Sequence, residues 1–202
     1  VDTVGRAAIV PSNDLDMDEI GLPEAQAWET YTPFVVRRLV RQGVAGPRAA
    51  DLVERRDPAA RKALVDEMDE RPVTAVRAPT LHRYGVMGFR PKLVKGNALK
   101  LPPAVYKGFG ADNDGDQMNW HVPVSQAEVD DIYERMLPSR NLLAVKNFKV
   151  HQLPTNEFAA GIYRATSDKS DRPVRTFATY QDLLKAWKSG KISHSDRVNV
   201  LE

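Results

Sequence analysis

The sequence predicts an α+β fold, on two observations. Helix-period spacing runs through residues 24–42 and again through 59–70. Short strand-like runs at residues 4–10, 86–105, 117–124 and 192–201 are bounded or broken by Gly and Pro. The chain has 202 residues, which suits one or two modest domains. With 42% hydrophobic and 28% charged residues it has the composition of a globular protein, and disorder is not expected. Its net charge is only +2, so the whole is not a general polyanion binder, although local basic patches remain open. It has no cysteine, which excludes disulfides and thiolate zinc sites and fits a reducing compartment. No apolar run approaches the roughly 18 residues of a membrane span.

Val4 to Val10 reads as a strand ended by Pro11 and Asn13. Residues 14–21 are acidic and turn-like, and Gly21-Leu22-Pro23 then opens a helix with Pro23 in its first turn. Ala27, Trp28, Tyr31, Phe34, Val35 and Leu39 form its apolar stripe, and Pro33 should kink or break it. Arg37, Arg38 and Arg41 are its basic face, read as solvated. Residues 46–70 read as two short helices, the second capped by Asp57 with Pro58 behind it, in a charged, exposed insertion. Val86 to Val105 is strand-rich, broken at Gly88, Pro91, Gly96 and Pro102-Pro103. Lys92, Lys95 and Lys100 are read as its wet face. Gln117 to Val124 returns to the core as a strand, with His121 read as a packed or hydrogen-bonded structural histidine rather than a ligand. Ser125 and Glu128 form a capping box for a helix that Pro138 stops. A helix follows Leu153-Pro154-Thr155 and runs to Ala165. A polar loop over 167–173, a last helix over 179–188 stopped at Gly190, and a closing strand over 192–201 complete the chain.

The chemistry concentrates in Gly110-Ala111-Asp112-Asn113-Asp114-Gly115-Asp116-Gln117-Met118. Asp112, Asp114 and Asp116 occupy alternate positions, so an extended segment sends all three carboxylates to one side. Gly115 lets the chain curl and converge them. Crowded carboxylates repel unless a cation neutralises them, and a hard divalent ion such as Mg²⁺ takes carboxylate oxygens and water in octahedral geometry. A calcium loop is the rival. Counted from Asp112, that pattern needs Gly at position six and Glu at position twelve, where this chain has Gln117 and Pro123. Upstream, Arg77-Ala78-Pro79-Thr80-Leu81-His82-Arg83 is a proline-stiffened loop whose guanidiniums suit phosphate or ribose.

These residues resemble the largest (β′) subunit of multisubunit DNA-directed RNA polymerases. The acidic stretch is similar to that family's N-A-D-F-D-G-D-Q-M, and residues 119–125 to its A-V-H-V-P-L-S. Residues 77–83 match its R-A-P-T-L-H-R in every letter. Gly5 to Ile9, Gly21-Leu22-Pro23, Pro33-Phe34-Val35, Ser139 to Leu143 and Pro154 to Tyr163 follow its order more thinly. The resemblance implies a double-psi β-barrel core with inserted and flanking helices, which periodicity alone does not give. It implies a catalytic barrel domain over 1–125, with a helical insertion at about 23–70, and a helical and strand extension over 126–202 toward the pore or funnel region.

The resemblance further implies nucleotidyl transfer from NTPs, with Asp112, Asp114 and Asp116 as catalytic Mg²⁺ ligands and Arg77 and Arg83 as substrate contacts, Arg77 on the sugar. The partners implied are a second large polymerase subunit supplying the other barrel, template DNA, nascent RNA and NTPs, without any membrane. The expected location is the cytoplasm of a bacterial host, or a virion if the chain is phage-encoded. Three departures mark a divergent member, with a bacteriophage as the expected source: Gly110 and Val76 replace asparagines and Asn113 replaces a phenylalanine. Gly110 bears on ribose discrimination. The chain begins at Val1 and ends in Leu201-Glu202, and is read as a piece of a longer or processed polypeptide, active only with partner subunits. The competing expectation is a polymerase-derived barrel kept as a non-catalytic structural component, for example of a virus particle.

Overall fold

The computed structural model describes residues 3–167, 173–193 and 196–201. Six strands close into a barrel in the order β1-β5-β2-β4-β3-β6, with β6 returning to pair with β1. They are β1 (Val4–Pro11), β2 (Glu19–Pro23), β3 (Val73–Val76), β4 (Val86–Val94), β5 (Leu99–Leu101) and β6 (Gln117–His121). Two pairs are parallel, β1 with β5 and β2 with β4, and the other four are antiparallel. Ile9, Ile20, Leu22, Val73, Phe89, Leu99, Leu101, Met118 and Trp120 are buried and fill the barrel and its flanks. The closing seam depends on Gly5. A Cβ there would lie 2.0 Å from the Trp120 ring, so only glycine lets the indole lie on the β1 backbone. This is the α+β double-psi barrel arrangement that the resemblance implied.

Three helices, α1 (Glu24–Arg41), α2 (Gly46–Glu54) and α3 (Pro58–Glu70), separate β2 from β3. Asp57 caps α3 as its sequence predicts, accepting from Ala59 N–H at 2.9 Å. The insertion is less exposed than expected. Ala60, Ala63, Leu64 and Met68 of α3 are buried, as are seven residues of α1. Helix α1 also runs through Pro33 without a break. The ring removes the one donor that would have met the carbonyl of Glu29, which is an exposed residue.

Two strand readings need correction. Gly21-Leu22-Pro23 ends strand β2 instead of opening a helix, and helix α1 begins one residue later. Strand β4 continues through Gly88 and Pro91. At Gly88 a Cβ would meet the Ile132 side chain at 2.4 Å, so the glycine is there for packing. Pro91 lies past Phe89, the last β4 residue paired with β3, where a missing N–H costs no bond on that side. His121 is exposed at the end of β6 and its ring makes no hydrogen bond among the described residues, so it is neither packed nor hydrogen-bonded as expected.

The chain divides into two compact units, Val1–Pro154 and Thr155–Glu202. In the first, α4 (Tyr106–Phe109) precedes the acidic loop and α5 (Gln126–Asp131) follows β6. The predicted capping box is present: Ser125 Oγ accepts from Glu128 N–H, and the Glu128 carboxylate accepts from Ser125 N–H at 3.0 Å. Helix α5 passes into a π-helical turn, Ile132–Met136, before Pro138. The second unit holds α6 (Asn156–Ser167), α7 (Tyr180–Lys188) and a parallel pair, β7 (Arg175–Phe177) with β8 (Val198–Val200). Thr179 caps α7 and Gly190 follows it at φ 71°. Strand β7 has no counterpart in the sequence reading, and the closing strand is shorter than the predicted 192–201. The polar loop expected over 167–173 falls largely outside the described residues.

Candidate functional site

The acidic loop is pinned at both ends. At its start, Gly110 stops α4 in the left-handed region at φ 59°. Gly110 N–H donates to Lys107 O at 3.2 Å and Ala111 N–H to Tyr106 O at 3.0 Å, which closes the helix end. The family's asparagine at this position is the residue that best tolerates that backbone after glycine. At the loop's end, Asp116 O accepts from Ile9 N–H at 2.9 Å, fixing the loop to β1. Gly115, at φ 106°, makes the turn between. Beneath it, Phe109 stacks on Phe89 of β4 with ring centres 6.0 Å apart.

Arg77, at the exit of β3, reaches this loop. Its Nε donates to Asp116 Oδ2 at 2.8 Å, and Nη1 lies 3.5 Å from Phe109 O. Asp112 N–H also donates to Asp116 Oδ2, at 3.0 Å. The Arg77 guanidinium, and then the Asp112 N–H, hold the Asp116 carboxyl below the usual carboxylate range. The Asp112 carboxylate accepts from Asn113 N–H at 2.8 Å, and both Asp112 and Asp114 are exposed. Arg77 is itself set by its backbone: its N–H donates to Gly85 O at 3.2 Å, so the loop 77–85 closes on its own ends.

The structure therefore brings Arg77 and Asp116 together, with Asp112 beside them through its backbone. It does not bring Arg83 to the loop. Arg83 Nη2 donates to Asn141 Oδ1 at 3.0 Å and the guanidinium lies over Tyr84. Among the described residues, no three acidic or histidine side chains gather closely enough, as they stand, to hold a metal ion. The donor set fits magnesium in kind: hard oxygens on one short turn, two of the three carboxylates exposed and able to rotate in solvent. Asp116 Oδ1 makes no hydrogen bond among the described residues.

Sequence reasoning missed a supporting layer. The Tyr84 hydroxyl donates to Leu143 O at 3.0 Å and accepts from Val145 N–H at 3.1 Å, and His151 lies against its ring at 4.2 Å. Burial, with Lys107 and His82 nearby, pushes the His151 pKa below its ordinary value. Gln152 is 3% exposed and packs on Gly108, where a Cβ would sit 3.2 Å from its Oε1. The segment 141–152 thus braces α4 and the loop that follows it. Gly108 is the one trace of this in the sequence, and it does not name its neighbour.

Comparison with known proteins bears on the same residues. The family described as RNA polymerase Rpb1, domain 2 matches residues 1–137. The chain belongs to this family. DNA-directed RNA polymerase subunit beta′ of Treponema pallidum is 37% identical over 206 residues, covering 99% of this chain and 14% of the relative. The beta′ subunit of Chlorobium limicola is 38% identical over 196 residues, covering 95% of this chain and 13% of the relative. The subunit gamma of a Cyanothece species is 39% identical over 197 residues, 32% of its length. The chain thus corresponds to a small part of its beta′ relatives, and that part contains the barrel and the acidic loop. No helix of the described residues is long and apolar enough to cross a membrane.

Proposed function

We propose that this chain supplies the aspartate loop of the catalytic core of a DNA-directed RNA polymerase. The barrel over 1–125 carries the site, and 126–202 extends it toward the pore region. The observation that carries this reading is the Arg77–Asp116 bond. It joins the two stretches that most resemble the polymerase family, across 39 residues of sequence. RNA chain growth joins a 3′-hydroxyl to an α-phosphate and expels pyrophosphate, work done mainly by positioning and electrostatics. Magnesium held by Asp112, Asp114 and Asp116 would lower the pKa of the attacking hydroxyl and offset the charge of the phosphoryl group.

The rest falls to the chain's own groups. Arg77 keeps Asp116 ionised and in place. It retains Nη2, which makes no hydrogen bond among the described residues, for the sugar of an incoming nucleotide. Asp112 and Asp114 need no buried bond broken in order to turn inward. Arg83 would have to exchange its bond to Asn141 before touching substrate. A second large subunit, template DNA, nascent RNA and NTPs are the partners this reading requires, and a bacterial cytoplasm is the setting it implies. All the relatives named above are polymerase subunits, which gives the scaffold alternative no support of its own.

The test is Mg²⁺-dependent incorporation of labelled nucleotides on a primed template by the assembled complex. Wild-type complex should extend the primer and the Asp114→Ala complex should not. Full extension by that variant refutes the assignment.

A further inference from the structure

Away from the aspartate loop, one cleft combines concavity, excess positive charge and unused donors. It measures about 420 Å³ and is walled by α1, α3 and the turn that starts α5. Arg37, Arg38, Arg41 and Arg71 reach it, with Glu67 and Glu70 as its acidic groups. Glu67 is buried and accepts from Arg38 Nε at 2.7 Å and from Arg71 Nε at 3.0 Å. Arg38 also donates to Glu70. These four side chains neutralise one another, and the carboxylates fix the Arg38 fork in place.

Arg37 and Arg41 are different. Both are exposed, and neither has a carboxylate within ion-pair distance among the described residues. They stand one helical turn apart on α1, about 5–6 Å between Cβ atoms, where like charges repel. Arg37 is steadied over the Phe34 ring at 5.7 Å, and Arg41 by the negative end of the helix. Two unpaired guanidiniums at the rim of a cleft, above a third whose orientation is fixed, form an arrangement that an anion relieves.

We propose that this cleft seats backbone phosphates of a nucleic-acid strand, with Arg37 and Arg41 as the contacts and Arg38 as the donor below them. The proposal rests on the reading of the chain as part of a nucleic-acid polymerase. Phosphate is favoured because a strand repeats its charge at every nucleotide, matching guanidiniums repeated on successive turns, whereas a peptide would need acidic residues at matched intervals. The cleft is separate from the aspartate loop. Arg71 and Arg77 flank β3 and are six residues apart, about 20 Å of extended chain.

The test is binding of a single-stranded oligonucleotide to the full protein, measured across a series of KCl concentrations. Each phosphate contact to a single strand contributes about 0.7 to the slope of log affinity against log salt. The double variant Arg37→Ala, Arg41→Ala should lower that slope by about 1.4 and weaken binding at least tenfold at low salt. Arg37→Lys with Arg41→Lys should keep the slope, which separates charge from any loss of packing. An unchanged slope in the alanine variant overturns the proposal. So does binding of inorganic pyrophosphate that depends on Arg37 and Arg41 while the oligonucleotide slope does not, since it assigns the site to a small ligand. Equal displacement by a glutamate-rich peptide overturns the phosphate assignment. Asp114→Ala should leave the slope as it is. Full activity in the Asp114→Ala complex, together with the expected slope change in the Arg37→Ala, Arg41→Ala variant, defeats the catalytic reading and leaves this one standing.

Discussion

Strand β3 has an arginine at each end, and the two are built for opposite purposes. Arg71, before the strand, is 8% exposed. Its guanidinium donates to Glu67, to Pro123 O at 2.7 Å and to Val124 O at 3.3 Å, and lies 4.4 Å over the Phe34 ring. Tyr31 Oη donates to its carbonyl at 2.8 Å. Arg77, after the strand, has one short bond to a carboxylate, a long one to a carbonyl, and a side chain that is 21% exposed. Burial among several partners marks the structural arginine, which ties helices, strand and the β6–α5 turn together. Greater exposure and fewer partners mark the one at the site, because a group that must meet a ligand stays within its reach. Arg71 repays its burial with several bonds at once, as a desolvated charge must.

That contrast predicts a separation of effects. Asp114→Ala, at the Arg77 end, should cut nucleotide incorporation by more than about 100-fold, as expected for losing a group that stabilises transition-state charge, with an unfolding midpoint unchanged in urea. A large fall in stability would show that the loop is structural and collapse the distinction. Glu67→Ala, at the Arg71 end, strands two arginines around a buried vacancy. It should cost about 3–5 kcal/mol in denaturant unfolding. A cost under about 1 kcal/mol, the range of exposed pairs, would make the two ends alike.

Arg77→Ala should be mild for stability, within about 1 kcal/mol, because its pair with Asp116 is partly solvated. Its effect should appear instead in the KM for nucleotides. The smallest effect is in pH. Asp116 has a folded-state pKa below its unfolded value near 3.9. The stability from this pair is therefore complete above about pH 4 and is lost as pH falls through the lower folded-state value. Acid unfolding of Arg77→Ala should lack that contribution, and identical acid titrations of the two proteins would show the bond to be absent in solution.

Local signals were the legible ones. The Asp57 cap and the Ser125–Glu128 box each need only neighbours within three residues, and each forms as read. What depended on distant contacts was not. Strand β2 carries Glu19, Gly21 and Pro23, poor strand residues, and exists because β4 pairs with it along all five positions. The barrel came from resemblance, since strands of three to nine residues leave no period long enough to read. In the site, the aspartates and Arg77 could be named from spacing and resemblance. The bond that orders them could not, and neither could the brace at Tyr84, His151 and Gln152, whose residue types carry no such message.

One further consequence follows from the way β6 returns to β1. A ring of strands has no spare backbone donors or acceptors along a border, so nothing can be added to it by extending the ladder. Whatever docks on this barrel must do so through side chains and turns. Binding partners can therefore be exchanged by surface substitutions alone, with the hydrogen-bonded ring underneath left as it is.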